Sequence, residues 1–132
     1  MSIHYTLRTE ADLLEVVASG FDGSLSEVIA YGSAVVEAAI RTQARRILCN
    51  ELDLTYTLGT LDIYESAKSI ASAAPQIAHI AIVCRPAFAA DIQFWENTVV
   101  NRGLTLKTFH DLDQARAWLD QHNASNPNSG KP

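Results

Sequence analysis

The sequence predicts an α/β domain with a mixed, mostly parallel sheet clad in amphipathic helices, in the order ββαβαβαβα. Three observations lead there. His79 to Cys84 (HIAIVC) has almost no polar alternation, and a strand written that way must be covered on both faces. The strand Arg46 to Leu54 runs into a polar, Gly-containing turn that opens an alanine-rich helix, the usual strand-turn-helix join of a parallel sheet. The 132 residues suffice for one domain with one core.

Taken in order, Ile3 to Arg8 alternates, with Ile3, Tyr5 and Leu7 on one face and His4, Thr6 and Arg8 on the other. That is a half-buried strand, placed at an edge. After a polar turn, Thr9 to Asp12, the segment Leu13 to Ser19 completes a hairpin, and Gly20 is expected to end it. Ser24 and Glu27 have capping-box spacing. The helix they start carries Leu25, Val28, Ile29, Val36, Ala39 and Ile40 on one face, with Gly32 among them. A mid-helix glycine costs about 1 kcal/mol against alanine, so close helix-sheet packing is its expected compensation.

The next helix begins between Thr57 and Thr60 and runs to about Ala74, with Tyr64, Ala67, Ala71 and Ala74 as its inner face and Pro75 as its stop. The strand Gln76 to Cys84 follows. Pro86 suits the first turn of a third helix with Phe88, Ile92, Trp95 and Val99 as its stripe, and Gly103 suits a left-handed terminator. Leu104 to Phe109 alternates as a last strand. Asp111 and Gln114 cap a fourth helix bearing Leu112, Ala115, Trp118 and Leu119. The domain is expected to span residues 1–122, with a polar, disordered tail over 123–132.

Bulk properties narrow the function classes. Hydrophobic content is 48% and charged content 19%, values of a globular chain, and the net charge is −5. An acidic chain with no basic stripe is a poor nucleic-acid binder. Arg41, Arg45 and Arg46 form the nearest basic cluster and are read as cations at a helix end. There is no signal-peptide pattern and no stretch long enough for a membrane span. Cys49 and Cys84 are read as reduced, buried thiols in a cytoplasmic protein, and nothing in the sequence calls for a metal or another cofactor.

The segments RRILCNELDL, AHIAIVCRP, NRGLTLKTF and DLDQARAWL, in this element order, resemble the STAS domain. The likeness is closer to the bacterial proteins grouped with the sporulation anti-sigma factor antagonist and linked by name to SEC14-type domains, and it covers about Ile3 to Gln121. The resemblance implies a regulatory, non-enzymatic module acting on a protein partner. Phosphorylated STAS domains carry Asp-Ser-Ser/Thr-Gly at the central turn. This chain has Thr55-Tyr56-Thr57-Leu58-Gly59-Thr60 instead, so the Asp is absent and only Thr57 and Thr60 offer stand-in phosphorylation sites.

The strand ends gather polar residues at one rim, the default pocket position of an open α/β sheet. Thr57, Gly59 and Thr60 form the candidate anion-facing turn, because a helix N-terminus carries unpaired N–H groups, with Tyr56 and Arg85 nearby. The competing reading is an ordinary capped turn. Glu51 and Asp53, two apart on a strand, are expected on one face, where paired carboxylates serve acid–base chemistry; two solvated acids are the plainer reading. His110 is a further acid–base candidate, against a surface histidine beside a capping Asp111. Phe94 lies off its helix's inner stripe and is a candidate self-association anchor. The leading expectation is thus a binding or regulatory module, with a protein partner or small ligand at the rim and homodimerisation through Phe94. The alternatives are a small enzyme using Glu51, Asp53 or His110, with a deep pocket around a shifted carboxyl as its mark, and an apolar or lipid-binding protein, which requires a cavity.

Overall fold

The computed structural model describes residues 2–74 and 78–122. Five strands form one sheet in the order β1 (Ile3–Glu10), β2 (Leu13–Phe21), β3 (Arg46–Thr55), β4 (His79–Val83), β5 (Thr105–Phe109). β1 pairs antiparallel with β2 as a hairpin and the other neighbours are parallel. The four helices are α1 (Leu25–Thr42), α2 (Thr60–Ala73), α3 (Ala89–Val100) and α4 (Leu112–Asp120).

The strands advance in one direction across the sheet, and three crossovers of one hand lay α1, α2 and α3 side by side on one face. α4 returns over the other face. β4 shows both sides of this arrangement. Ile80 and Ile82 join the core under α1–α3, while Ala81 and Val83 join Ala115 and Leu119 of α4. Its unbroken apolar run thus has the two-sided cover that its composition demands.

The caps agree with their sequence signals. Ser24 Oγ accepts from the Glu27 amide at 3.3 Å, and Asp111 Oδ1 from the Gln114 amide at 3.0 Å. Gly103 has φ +101°, the left-handed conformation expected after a helix.

Several sequence expectations need correction. Gly20 does not end β2 but lies within it, at φ +98°. A Cβ there would stand 2.2 Å from the Ser2 carbonyl oxygen, so the N-terminal segment crosses close over this position. Gly32 serves a contact between helices rather than helix on sheet: Ile70 of α2 fills the space its side chain would take. The buried face of α1 is Tyr31, Val35, Val36, Ala38 and Ala39, and Ile40 is 58% exposed. On α2, Ile63 and Ser66 take the inner positions expected of Tyr64. Phe88 belongs to a single 3-10 turn, Pro86–Phe88, that precedes α3. Arg46 is not a helix-end cation; it is buried in β3, 2.9 Å from Asp12 and 3.3 Å from Asp120. Pro75, the Gln76 start of the next strand and the tail over 123–132 lie outside the described residues.

Candidate functional site

β3 does not end regularly. Val17 faces Asn50, but Ser19 faces Asp53, so β3 holds one more residue than β2 across this stretch. Such a bulge re-aims side chains. Glu51 stays with Ile47 and Cys49 on the α1–α3 side and is buried, whereas Asp53 is exposed. The paired-carboxylate expectation therefore fails, because the extra residue breaks the alternation between them.

Glu51 meets two tyrosines. The Tyr31 hydroxyl, from α1, donates to Oε2 at 2.8 Å, and the Tyr56 hydroxyl donates to Oε1. Burial pushes the Glu51 carboxyl above the usual carboxylate range; the two tyrosine hydrogen bonds oppose that shift and the Asp22 charge adds to it. Both tyrosines are held well above their ordinary value, first by burial and then by the Glu51 charge.

This triad lines a cavity of about 120 Å³ between the sheet and α1–α3. Its walls are mostly aliphatic, from Val35, Ile47, Ile80, Ile82, Ile92 and Leu106, with Trp95 at one side. Trp95 Nε1 donates to Ser66 Oγ at 3.1 Å, and that hydroxyl donates to the Ile63 carbonyl, so this polar pair is satisfied within the wall. Besides Glu51, the charged lining groups are Asp22 and Asp91. Asp22 is also raised, chiefly by burial, against the hydrogen bonds from Thr57 and with the help of the Asp91 charge.

The rim residues are arranged differently from their sequence reading. The Thr57 amide donates to Asp22 Oδ1 and its hydroxyl lies 3.0 Å from the same oxygen, so a carboxylate of the chain itself occupies these donors. Gly59 is the N-cap of α2 without a side-chain cap bond, and Thr60 is exposed at the first helical position. Tyr56 points into the cavity rather than toward this turn. Arg85 is drawn back over the end of β3, donating to Thr55 Oγ1 at 2.8 Å and to the Leu54 carbonyl at 3.2 Å, with its guanidinium over the Phe88 ring. His110 lies apart from Glu51, its Nδ1 2.8 Å from the Cys84 carbonyl oxygen. Phe94 is 38% exposed on α3.

The two thiols near the cavity are suppressed as nucleophiles. Burial pushes Cys49 far up and Cys84 up to about 11, and Glu51 adds to both. Among the described residues no cluster of side chains suits a metal ion, and no helix is long and apolar enough to cross a membrane.

Comparison with solved structures places the architecture. An anti-sigma factor antagonist from Mycobacterium paratuberculosis superposes with a TM-score of 0.63 at 17% identity, over 90% of this chain and 95% of that one. The fold is STAS-like. An uncharacterised DUF3478-family protein with a SpoIIAA-like fold, from Shewanella loihica, aligns at a TM-score of 0.48 and 18% identity, over 89% of this chain and 94% of that one. No protein-family model matches the sequence, and no curated protein matches it. In this STAS-like chain the sequence reading placed Asp22 on the rim with Glu51, but Tyr31, the hydrogen-bond partner of Glu51, and Asp91, which acts on Asp22, escaped it. Tyr31 lies on α1 and Asp91 on α3, and no local spacing links either to β3.

Proposed function

We propose that this protein is a non-enzymatic binding module that takes a small, largely apolar molecule into the cavity under α1–α3. The observation that carries this is the cavity itself, whose mostly aliphatic wall carries a few polar groups, with Glu51 and its two tyrosines at its inner end. Ligand sites are built that way: mostly apolar, with few polar groups to fix orientation. Its size narrows the ligand. Drug-sized pockets run to about 300–1,000 Å³, whereas an apolar cavity of about 150 Å³ accepts benzene. A small ring or short branched chain fits, and a full acyl chain does not.

Native mass spectrometry of the protein taken from its own cells tests this. A single non-covalent adduct of low mass is expected. An Ile82→Phe variant, which fills the cavity, should lose it. Retention of the adduct by folded Ile82→Phe would place the ligand elsewhere.

Catalysis is the second reading, favoured by one observation: Glu51 is a buried acid whose carboxyl burial raises above the usual carboxylate range, the direction a general acid needs. Binding is better supported, because the nearby hydroxyls are engaged on Glu51 and the thiols are suppressed. Turnover abolished by Glu51→Gln would reverse that preference.

The likeness to an anti-sigma factor antagonist supports a protein partner as the recipient of the signal. Leu61, 71% exposed in the first turn of α2, and Phe94 on α3 are the apolar residues offered to it or to a second copy of the chain. A phospho-switch would use Thr60, since the Thr57 hydroxyl is committed to Asp22.

A further inference from the structure

We infer that the cavity selects a small apolar amine and rejects anions. This rests on the cavity being a ligand site and adds the ligand's charge. Asp22, Glu51 and Asp91 all line the space, and no Lys, Arg or His among the described residues does. Arg85, at the same end of the sheet, is engaged on Thr55 Oγ1 and the Leu54 carbonyl instead. Asp91 lies at the exposed start of α3, Asp22 is buried, and Glu51 is buried between the tyrosines, so carboxyl groups continue from the surface to the interior. These acids are near enough to feel one another: Asp91 disfavours charge on Asp22, and Asp22 on Glu51. An entering carboxylate or phosphate would meet the same repulsion with no cation to offset it.

The hydrogen-bonding pattern points the same way. Both tyrosine protons are directed at Glu51, which leaves oxygen lone pairs to face the cavity. Those oxygens accept N–H donors, and an ammonium group supplies three. The rings of Tyr31, Tyr56 and Trp95 also line the space, and aromatic faces attract cations. The remaining wall is aliphatic and suits the hydrocarbon part of the molecule.

The inference carries a pH dependence. The titratable groups facing Glu51 are Tyr31 from α1, Tyr56 from the loop before α2, Cys49 from β3, Cys84 after β4, and Asp22. Asp91 of α3 acts on it through Asp22. None of these brings positive charge. A bound ammonium would therefore be the counter-ion that Glu51 lacks, and its binding would expel the carboxyl proton. Amine affinity should rise with pH until the amine itself loses its proton.

Three matched probes test this: benzylamine, benzyl alcohol and benzoate, titrated calorimetrically and followed by Trp95 fluorescence. Benzylamine is expected to bind on the order of tenfold tighter than benzyl alcohol, as a charge-assisted contact does over a neutral one. Benzoate should not bind. The amine affinity should increase with pH through the range in which the Glu51 carboxyl loses its proton, which lies above the usual carboxylate range, while that of the alcohol stays level. Glu51→Gln should erase the amine preference. Asp91→Asn, an exposed substitution that spares the core, should weaken the amine by a smaller factor and leave the alcohol alone. Benzoate binding as tightly as benzylamine, or amine and alcohol binding equally at every pH, would overturn the inference and leave the cavity reading intact. Failure of all three probes to bind would bring down both.

Discussion

β3 buries one basic and one acidic side chain, Arg46 at its start and Glu51 five residues on, and the chain treats them in opposite ways. Arg46 donates to Asp12 through both Nε and Nη2, at 3.1 and 2.9 Å, and lies 3.3 Å from Asp120 at the end of α4. It is neutralised by its own protein and ties the start of the sheet to the α4 layer. Glu51 has two hydrogen-bond donors and, among the described residues, no cation beside it, and it opens on a cavity. A buried charge that the fold satisfies is structural. One left without a counter-charge on the wall of a cavity is where a ligand has something to add. The faces of the sheet differ in the same sense. The α4 face is filled by Leu48, Ala81, Val83, Ala115 and Leu119, whereas the α1–α3 face holds the cavity.

The largest effect should come from breaking the satisfied pair. Arg46→Ala removes a cationic partner of Asp12 and of Asp120 and the packing of the arginine stem. Losing one member of a buried ion pair costs about 3–5 kcal/mol. The lower end is expected here, because the Asp120 side chain is 73% exposed and water can take it over. Urea unfolding should show the loss. A change under about 1 kcal/mol would mean the pair contributes only what surface pairs do.

A smaller, paired effect separates the two faces. Ala81 and Ile82 are neighbours on β4 that point into opposite layers. Ala81→Leu forces volume into the filled α4 face and should cost about 1–3 kcal/mol, the usual penalty of overpacking. Ile82→Phe also adds volume, but into the cavity, and should cost less than about 1 kcal/mol. Equal penalties would mean that the space under α1–α3 is unavailable to an added ring, and the ligand proposal would lose its room.

Much of this frame is legible in the sequence, and the reason is that local rules govern it. The run His79 to Cys84 reports two-sided burial, and Ser24/Glu27, Asp111/Gln114 and Gly103 report helix ends; each signal sits within a few residues. The site is less legible because its parts meet across the fold. Tyr31 reaches Glu51 across 20 residues, and Asp22 reaches Thr57 across 35. The β3 bulge separates Glu51 from Asp53 without a glycine or proline to announce it. Helical periodicity places a face only to within a residue or so, which is why Ile40 and Tyr64 were expected inside and Tyr31 and Ile63 were not.

The subtlest test concerns the proton on Glu51. Its carboxyl is raised in the folded protein, chiefly by burial. Between the unfolded value, about 4.3, and the raised one, the folded state binds more protons than the unfolded state. Stability therefore falls as pH rises through that window and levels off above it. Glutamine keeps the shape, can accept from one tyrosine and donate to the other, and never ionises. Glu51→Gln should accordingly be close to wild type at about pH 4 and gain on it as pH rises to about 8, by urea midpoints. Part of the slope should survive in the variant, because Asp22 is raised too and is untouched. The wild type standing clearly above Glu51→Gln at the higher pH would mean that the ionised carboxylate already has a cationic partner within the chain. Glu51 would then belong with Arg46 as a structural charge, and the contrast between the two ends of β3 would disappear.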